Sequence, residues 1–225
     1  MSEAREAVLA RIRSALGPAR EPVEVPRAYR TRGTRGRDAL LALLAERLAA
    51  YGATVELSAD PGVAVARALR EQGAARVAVP ADLPPELRPA GVALVDGEGL
   101  SPPELDGLDG AVTTCAVACA ETGSLALDGG PGQGRRALTL VPDLHVCVVR
   151  ADDVVETVPE LIAALAPAAR AGRPIVIVSG PSATSDIELD RVEGVHGPRR
   201  VVVVVDVRPD RGPPRTAVHC RAYGV

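Results

Sequence analysis

The chain has 225 residues, a net charge of −3 and a mean hydropathy of +0.12, which are values typical of a globular protein with a sizeable core. All 26 basic residues are Arg, and the sequence contains neither Phe nor Trp. The absence of Lys excludes Schiff-base, pyridoxal-phosphate and Walker-lysine chemistry. The scarcity of aromatic rings argues against proteins that bind single-stranded nucleic acid by base stacking.

The first 37 residues differ in charge from the rest of the chain. They hold nine Arg and four Glu, a balance of +5, so the remainder carries −8. Apolar residues near helical spacing predict a helix over residues 3–16, ended by Gly17-Pro18 and followed by an Arg/Pro-rich arm up to residue 37. We therefore divide the chain into a helix with a basic arm (1–37) and an α/β domain (38–225). The arm is expected to dock on an acidic surface of its own subunit or of a partner, and in the second case it favours a homo-oligomer.

Short Val-rich segments alternate with helical patterns from residue 38 onward. We predict helices at about 38–51, 61–72 and 154–165, and strands at 53–57, 76–79, 92–95, 110–113, 124–127, 145–149, 175–179 and 200–207. This alternation predicts a mainly parallel, partly mixed sheet covered by helices, and the first βαβ unit spans residues 53–79. The tighter spacing after residue 110 indicates mixed or antiparallel pairing in that region.

The pattern of apolar and cysteine residues bears on location and metal binding. No run reaches the roughly 18 apolar residues of a membrane span, and the charged start is unlike a signal peptide. We therefore expect a cytoplasmic protein without membrane insertion. The four Cys lack the spacing of zinc or iron–sulfur motifs, so we interpret them as buried thiols and predict no metal site.

Two glycine-containing segments carry candidate site residues in the middle of the chain. Glu121-Thr122-Gly123 precedes an apolar strand, so the carboxylate of Glu121 is a candidate general base or nucleophile. Arg135 and Arg136 follow a run of glycines and could present guanidinium groups to an anion, although a mobile hairpin tip explains the same pattern.

Two further polar segments lie towards the carboxyl terminus. The first follows the apolar strand near residue 178, where ligands gather in parallel sheets. The second places His196 between two glycines, and His145 opens an apolar strand that reaches the same edge. The candidate residues of the first segment are Gly180, Ser182, Thr184, Asp186 and Glu188.

Four motifs occur in a familiar order: AETGS at 120–124, LVPDLH at 140–145, GPSATSDIE at 180–188 and GVHGP at 194–198. In this order the chain resembles the lactate utilization protein C (LutC) family, whose members are stand-alone LUD domains. The resemblance covers about residues 38–207. It implies a fold similar to the sugar isomerase and coenzyme A transferase superfamily, and a role in oxidising L-lactate to pyruvate with two iron–sulfur partner proteins.

The favoured hypothesis is an accessory or substrate-site subunit of a lactate-oxidising complex that acts on a small anionic substrate. Glu121, Asp186 and His196 would handle protons, and the other residues named above would position the ligand. The chain alone is expected to bind no cofactor, with the iron–sulfur clusters held by its partners.

One alternative is a stand-alone acyl or coenzyme A transferase, or a sugar-phosphate isomerase, that uses Glu121. Another is a purely structural scaffold. Nucleic acid is not expected as a partner, because the body is acidic.

Overall fold

The computed structural model describes residues 3–17, 24–184, 192–194 and 196–209. Contacts divide the chain into two compact units, residues 1–30 and 31–225. The helices are α1 (Glu3–Leu16), α2 (Arg37–Ala50), α3 (Pro61–Glu71), α4 (Pro102–Asp106) and α5 (Val158–Arg170). The strands are β1 (Thr54–Ser58), β2 (Arg76–Val79), β3 (Ala93–Asp96), β4 (Gly110–Thr114), β5 (Val117–Cys119), β6 (Ser124–Leu127), β7 (Leu144–Arg150), β8 (Val154–Val155), β9 (Val176–Val178), β10 (Ala183–Thr184), β11 (Val192–Glu193) and β12 (Arg200–Asp206).

A parallel sheet of six strands forms the centre of the second unit, in the order β1-β12-β7-β4-β2-β3. Its inner strands are rich in Val because both faces are covered, which removes the alternation of polar and apolar residues seen in half-exposed strands. On one face Val146, Val148 and Val204 pack against α3. On the other face Cys147 and Val203 pack against α2 and against a second sheet.

The second sheet has the order β8-β5-β6-β9 and mixes the two pairing modes. β5 and β9 run antiparallel to β6, and β8 runs parallel to β5. Its inner face contributes Leu125 and Leu127 to the core shared with α2, and its outer face packs against Leu161 and Leu165 of α5. The layers are therefore α3, the six-stranded sheet, α2 with the second sheet, and α5.

This architecture confirms the predicted α/β fold and the mixed pairing after residue 110, and it differs locally in the bounds and number of elements. The helix predicted at 154–165 is wrong in its bounds, because Thr157 caps a helix that begins at Val158 and the preceding residues form β8. β5 was not predicted, since a strand of three residues gives little periodic signal. β1 and β2 belong to one parallel sheet as expected, but three strands separate them.

Residues 33–37, at the start of the second unit, are fixed to the rest of that unit by one buried carboxylate. The Oε2 of Glu156, a residue only 4% exposed, accepts hydrogen bonds from the backbone amides of Thr34 at 2.7 Å and Arg35 at 2.8 Å. The Arg35 guanidinium donates to Oε1 at 2.6 Å. Arg37 pairs with Asp152 close by. Residues 33–37 thus dock on an acidic surface of their own subunit.

Among the described residues, no helix combines the length and the apolar character that crossing a membrane requires.

Candidate binding site

The carboxyl edge of the six-stranded sheet has a switch point between β2 and β4. The chain leaves β2 towards β3 on one side, and it leaves β4 towards β7 on the other. Crevices of this kind are the usual ligand sites of open α/β sheets. Here the chain's own segment 129–134, which we call the glycine loop, covers the crevice.

Three hydrogen bonds hold the glycine loop over this switch point. The amide of Gly132 donates to Asp82 Oδ2 at 3.0 Å, and the Gly132 carbonyl accepts from the amide of Thr114 at 2.8 Å. The Thr114 hydroxyl donates to the carbonyl of Pro131 at 2.9 Å. Gly132 has a φ of +72°, and a Cβ there would lie 2.9 Å from Thr114 Oγ1, so glycine is needed for both the turn and the close approach.

Beside the glycine loop lies a cavity of about 190 Å³, between the end of the second sheet and α5. This is more than ten times the roughly 15 Å³ that one water needs. Its polar lining comes from Cys115, Asp128, Gln133, Asp153 and Arg173. Its apolar walls come from Ala116, Val117, Pro131, Ala164, Pro167 and Ala168. The cavity therefore joins an apolar wall to a small set of convergent polar groups, which is the usual make-up of a small-molecule site.

One corner of the cavity concentrates hydrogen-bonding groups around a glycine. A Cβ on Gly130 would lie 2.7 Å from Asp128 Oδ1, 3.2 Å from Arg173 Nη1 and 3.3 Å from Gln133 Nε2. We call this corner the Gly130 cradle. Arg173 Nη2 donates to Asp128 Oδ2 at 2.8 Å, and Gln133 Oε1 accepts from the Asp128 amide at 2.7 Å. Asp128 Oδ1 also accepts from the Gly130 amide at 2.9 Å. The three side chains are therefore packed around the turn at Gly130, which leaves no room for a Cβ at this position.

Two further ionisable groups line the cavity away from the cradle. Cys115 directly follows β4, and its hydrogen bond with Cys147, together with burial, raises the pKa of the Cys115 thiol well above its usual value. It is therefore a neutral thiol rather than a nucleophilic thiolate at neutral pH. Asp153 Oδ2 lies 4.0 Å from Arg150 Nε. Each cavity carboxylate thus has an arginine near it, and the walls are close to neutral overall.

The structure brings one group of sequence-predicted residues together at the other end of β6. The Thr122 hydroxyl donates to Ser124 Oγ at 2.8 Å, and Ser124 Oγ lies 2.8 Å from Ser179 Oγ, next to Gly180. Glu121 is half-buried in the same turn. This end of β6 is three residues, or about 10 Å, from the Asp128 end. Glu121 and the cavity are therefore separate features.

Gly123 and Gly180 serve packing at this end of the second sheet. Gly123 has a φ of +58°, and a Cβ there would lie 2.8 Å from the Cβ of Arg47 in α2. A Cβ on Gly180 would lie 2.6 Å from the Cβ of Tyr51. Both glycines let the turns of the second sheet approach the end of α2.

A second group of predicted residues gathers around Ser182. Its hydroxyl accepts from the His196 amide at 3.1 Å, and its own amide donates to the Pro198 carbonyl at 2.8 Å. The His196 side chain is exposed. Thr184 pairs with Val192 in the hairpin of β10 and β11. Asp186 and Glu188 lie outside the described residues.

The two predicted arginines have different surroundings. Arg135 donates from Nε to the Gly97 carbonyl at 3.1 Å and from Nη2 to the Leu100 carbonyl, so its guanidinium holds two backbone segments together. Arg136, with Arg135, lines a small indentation beside Leu127 and Val176. Neither arginine lines the 190 Å³ cavity.

His145 lies inside the six-stranded sheet and is fully buried. Its Nε2 is 2.8 Å from the Thr113 hydroxyl on the neighbouring strand. Burial lowers the pKa of His145 to about 4, so the imidazole is neutral at physiological pH. Its backbone lies one residue from the start of β7 and pairs with Val201 near the start of β12, but its side chain is buried within the sheet.

Sequence reasoning did not single out the polar residues of the cavity. Asp128 directly follows the buried strand β6 of the second sheet, and Asp153 lies three residues after β7 and directly before β8. The positions of these two aspartates next to strands were the sequence features that could have identified them as cavity residues. No feature of the sequence identified Arg173, because a lone Arg after a helix is common. Among the described residues, no group of three or more His, Cys, Asp or Glu is arranged to hold a metal ion.

The fold and the cavity define a class: a parallel α/β domain that carries a second, mixed sheet and a small polar cavity beside a switch point. Residues 103–205 match the LUD domain family. A Deinococcus radiodurans protein called lactate utilization protein C is 45% identical over 208 residues, which is 91% of this chain and 96% of that protein. The chain therefore belongs to the LUD-domain family of lactate utilization protein C.

Two other similarities agree with this assignment. A lactate utilization protein C from Halalkalibacterium halodurans is 32% identical over 98 residues, 42% of each chain. A crystal structure of a DUF162 family protein from Deinococcus radiodurans has a TM-score of 0.65 and 39% identity, and the match covers 76% of this chain and 99% of that one. The family resemblance predicted from the four sequence motifs is confirmed.

Proposed function

We propose that this chain is a subunit of a cytoplasmic system that oxidises L-lactate to pyruvate. The observation that carries the proposal is the 45% identity to a protein named for lactate utilization, which extends over nearly the whole of both chains. A match of this extent includes the glycine loop, both sheets and the cavity residues. The proposal therefore concerns the whole α/β domain rather than a shared fragment.

In the proposed system, this chain has an accessory or substrate-site role, and two partner proteins carry the iron–sulfur clusters. Oxidation of lactate to pyruvate removes two electrons and two protons. The partners' clusters would accept the two electrons, and this chain would bind the carboxylate and accept the two protons, one from the hydroxyl and one from C2, on its proton-handling residues. Glu121 and His196, together with Asp186, remain the proposed proton-handling residues. The cavity beside the glycine loop supports a role in holding a small molecule, at a place separate from Glu121.

The proposal is tested in a strain from which the gene has been deleted and which has no other lactate dehydrogenase. Extracts are assayed for L-lactate-dependent dye reduction, with the wild-type chain or an empty vector reintroduced. We expect deletion to reduce the activity at least about tenfold and the wild-type chain to restore it. Unchanged activity in the deletion strain would overturn the proposal.

A second measurement tests the proposed partners. The tagged full chain is purified from the complemented strain, and the co-purified proteins are examined for iron and acid-labile sulfide. We expect two iron–sulfur proteins to be retained with it. A chain that purifies without them, and that alone turns over an acyl-coenzyme A or a sugar phosphate, would instead favour the stand-alone enzyme. Turnover by the purified chain alone separates these outcomes, because both hypotheses assign a role to Glu121 and Glu121→Gln should lower the activity in either case.

A further inference from the structure

Helix α5 carries a second apolar stripe besides the one that packs on the second sheet. Leu161 and Leu165 are buried in the core between α5 and that sheet. Val158 and Ile162, by contrast, are 41% and 55% exposed. Alanines continue this outer stripe at helical spacing. We call it the α5 stripe, and it consists of Val158, Ile162, Ala166 and Ala169.

Helix α1 also carries an apolar stripe, and none of its residues is buried. Val8, Ile12 and Leu16 follow one another at intervals of four residues, which places them on one face, the α1 stripe. Their exposed fractions are 55%, 48% and 68%. A helix of 14 residues without packing partners is only marginally stable in water. The α1 stripe therefore needs an apolar surface that covers it.

We propose that the α1 stripe packs on the α5 stripe of a second copy of this chain, in a two-fold dimer that exchanges the N-terminal helices. Each copy then gives one stripe and receives one, so the same contact forms twice and the assembly closes. The two helices have 14 and 13 residues, about 20 Å each, so they match in length. This interface goes beyond the proposed function and does not depend on it.

The distribution of charge favours α1 as the occupant of the α5 stripe. Residues 1–37 carry a balance of +5, and the rest of the chain carries −8. Two acidic bodies repel each other, so a contact of α5 with the α5 of a second copy is opposed. The basic N-terminal segment of one copy is attracted to the acidic body of the other.

The charges at the helix ends favour an antiparallel arrangement. In α1 the first turn contains Glu3 and Glu6, and the last turn contains Arg13. In α5 the first turn contains Glu160 and the last turn contains Arg170. Antiparallel packing places each acidic end beside a basic end and also aligns the two helix dipoles favourably.

The base of the arm lies beside the proposed docking surface. The amide of Gly33 donates to Glu160, in the first turn of α5, at 3.2 Å. Sixteen residues, 17–32, separate this point from the end of α1, and an extended segment of that length reaches up to about 50 Å. A two-fold axis near α5 would therefore let each arm deliver its helix to the α5 stripe of the other copy.

The first test is the oligomeric state of the purified full chain, measured by sedimentation velocity at several concentrations. We expect the wild type to be a dimer. Ile12→Asp places a carboxylate on the α1 stripe, and Ile162→Asp places one on the α5 stripe. Each substitution occurs twice in the dimer, so each should raise the dissociation constant at least about a hundredfold, or tenfold per contact.

Val63→Asp is the matched control for these variants. Val63 is 60% exposed in the first turn of α3, outside both stripes, where an acidic residue suits the helix dipole. This variant should dimerise like the wild type. Circular dichroism and urea unfolding check that all variants are folded. A monomeric wild type, or an unchanged dimer in a folded Ile12→Asp or Ile162→Asp variant, would overturn the proposal.

The second test shows which copy supplies each stripe. Leu16→Cys and Val158→Cys are introduced into separate chains of different size, both with Cys220→Ser, and the mixed chains are treated with a short bismaleimide. We expect a cross-link that joins one chain of each size. The thiols that remain are buried and should not react; they belong to Cys115, Cys119 and Cys147.

Ala169→Cys is the control partner for Leu16→Cys. Antiparallel packing places Leu16 near Val158, and Ala169 lies eleven residues, or about 16 Å, further along α5. This pair should therefore cross-link at least about tenfold less. Equal cross-linking of the two pairs would contradict the antiparallel packing. A link that forms only within a chain carrying both Leu16→Cys and Val158→Cys would show that α1 covers its own α5, and the exchange would be wrong.

Discussion

His145 shows how one buried side chain couples stability to pH. The unfolded chain binds a proton at the usual imidazole pKa of about 6.5, whereas burial lowers the pKa in the folded protein to about 4. Between these values the unfolded state binds more protons, so stability falls as the pH drops from about 6.5 towards 4.

We therefore predict that His145 contributes up to about 3 kcal/mol to the loss of unfolding free energy across this pH window. The free energy of unfolding is measured by urea titration at several pH values. The His145→Leu variant should show a clearly shallower dependence on pH than the wild type, whatever its absolute stability.

The control for this experiment is His196→Ala, because the His196 side chain is exposed. This variant should keep the wild-type pH dependence. A His145→Leu profile parallel to that of the wild type would mean that other groups cause the acid sensitivity.

Gly123 and Gly172 form a matched pair for separating backbone strain from close packing. Both have positive φ angles, +58° and +70°, but only Gly123 has neighbours, with Arg47 Cβ 2.8 Å from the position of a Cβ. We predict that Gly172→Ala costs about 1 kcal/mol, and that Gly123→Ala costs about 1 to 3 kcal/mol more. Equal losses of unfolding free energy in the two variants would show that α2 moves aside at no cost.

At the scale of elements, residues 33–35 at the start of the second unit are held mainly by the carboxylate of Glu156 in the same unit. Two backbone amides and one guanidinium converge on this carboxylate, and the amide of Gly33 donates to Glu160 at 3.2 Å. Such an anchor fixes an extended segment that has no strand or helix to satisfy its backbone groups.

We predict that Glu156→Ala speeds tryptic cleavage after Arg32 and Arg35 at least tenfold, because local opening of this segment becomes easier. The rate is followed by mass spectrometry of the intact chain. Glu46→Ala is the control, because the Glu46 side chain is 69% exposed and its ion pair with Arg47 is long, at 3.9 Å. Equal cleavage rates in the two variants would contradict the anchoring role.

The elements that could be predicted from the sequence are those with long apolar runs. Strands β7 and β12 consist of seven residues each, and their Val content leaves little alternative. The start of α5 was misplaced because Val154 and Val155 continue the apolar pattern of the helix, while the capping box at Thr157 is a local hydrogen-bond arrangement. The two-residue strands β8, β10 and β11 exist only through their partners, so the sequence could not predict them.

At the scale of the whole molecule, two apolar cores share the six-stranded sheet. Leu44 of α2 lies on one side and Leu69 of α3 on the other, and both are fully buried. Leu44→Ala and Leu69→Ala should each lower the free energy of unfolding by about 2 to 5 kcal/mol. Because the sheet separates them, the losses should add to within about 0.5 kcal/mol in the double variant.

This additivity is measured by urea unfolding with far-ultraviolet circular dichroism, which the absence of Trp makes the suitable probe. A single transition in all three variants is expected, since one sheet carries both cores. Two separated transitions in either single variant would mean that the two layers fold independently.

The candidate site depends on contacts that are distant in the sequence. Arg173 reaches Asp128 across 45 residues, and Asp82 reaches Gly132 across 50. Residue types and spacing singled out the glycine-rich segment at 129–136, with Arg135 and Arg136 as candidate anion-binding groups and a hairpin tip as the alternative. Only the three-dimensional arrangement shows that Arg135 binds carbonyl groups and that Arg173 faces the cavity.

The position of the glycine loop has a consequence for any molecule directed at the crevice between β2 and β4. The loop is tethered at both ends and makes hydrogen bonds to Asp82 and Thr114, so it acts as an intramolecular competitor. A short tether corresponds to an effective concentration in the millimolar range or above. A metabolite whose concentration is below this effective concentration can displace the loop only if its affinity for the crevice is higher than that of the loop.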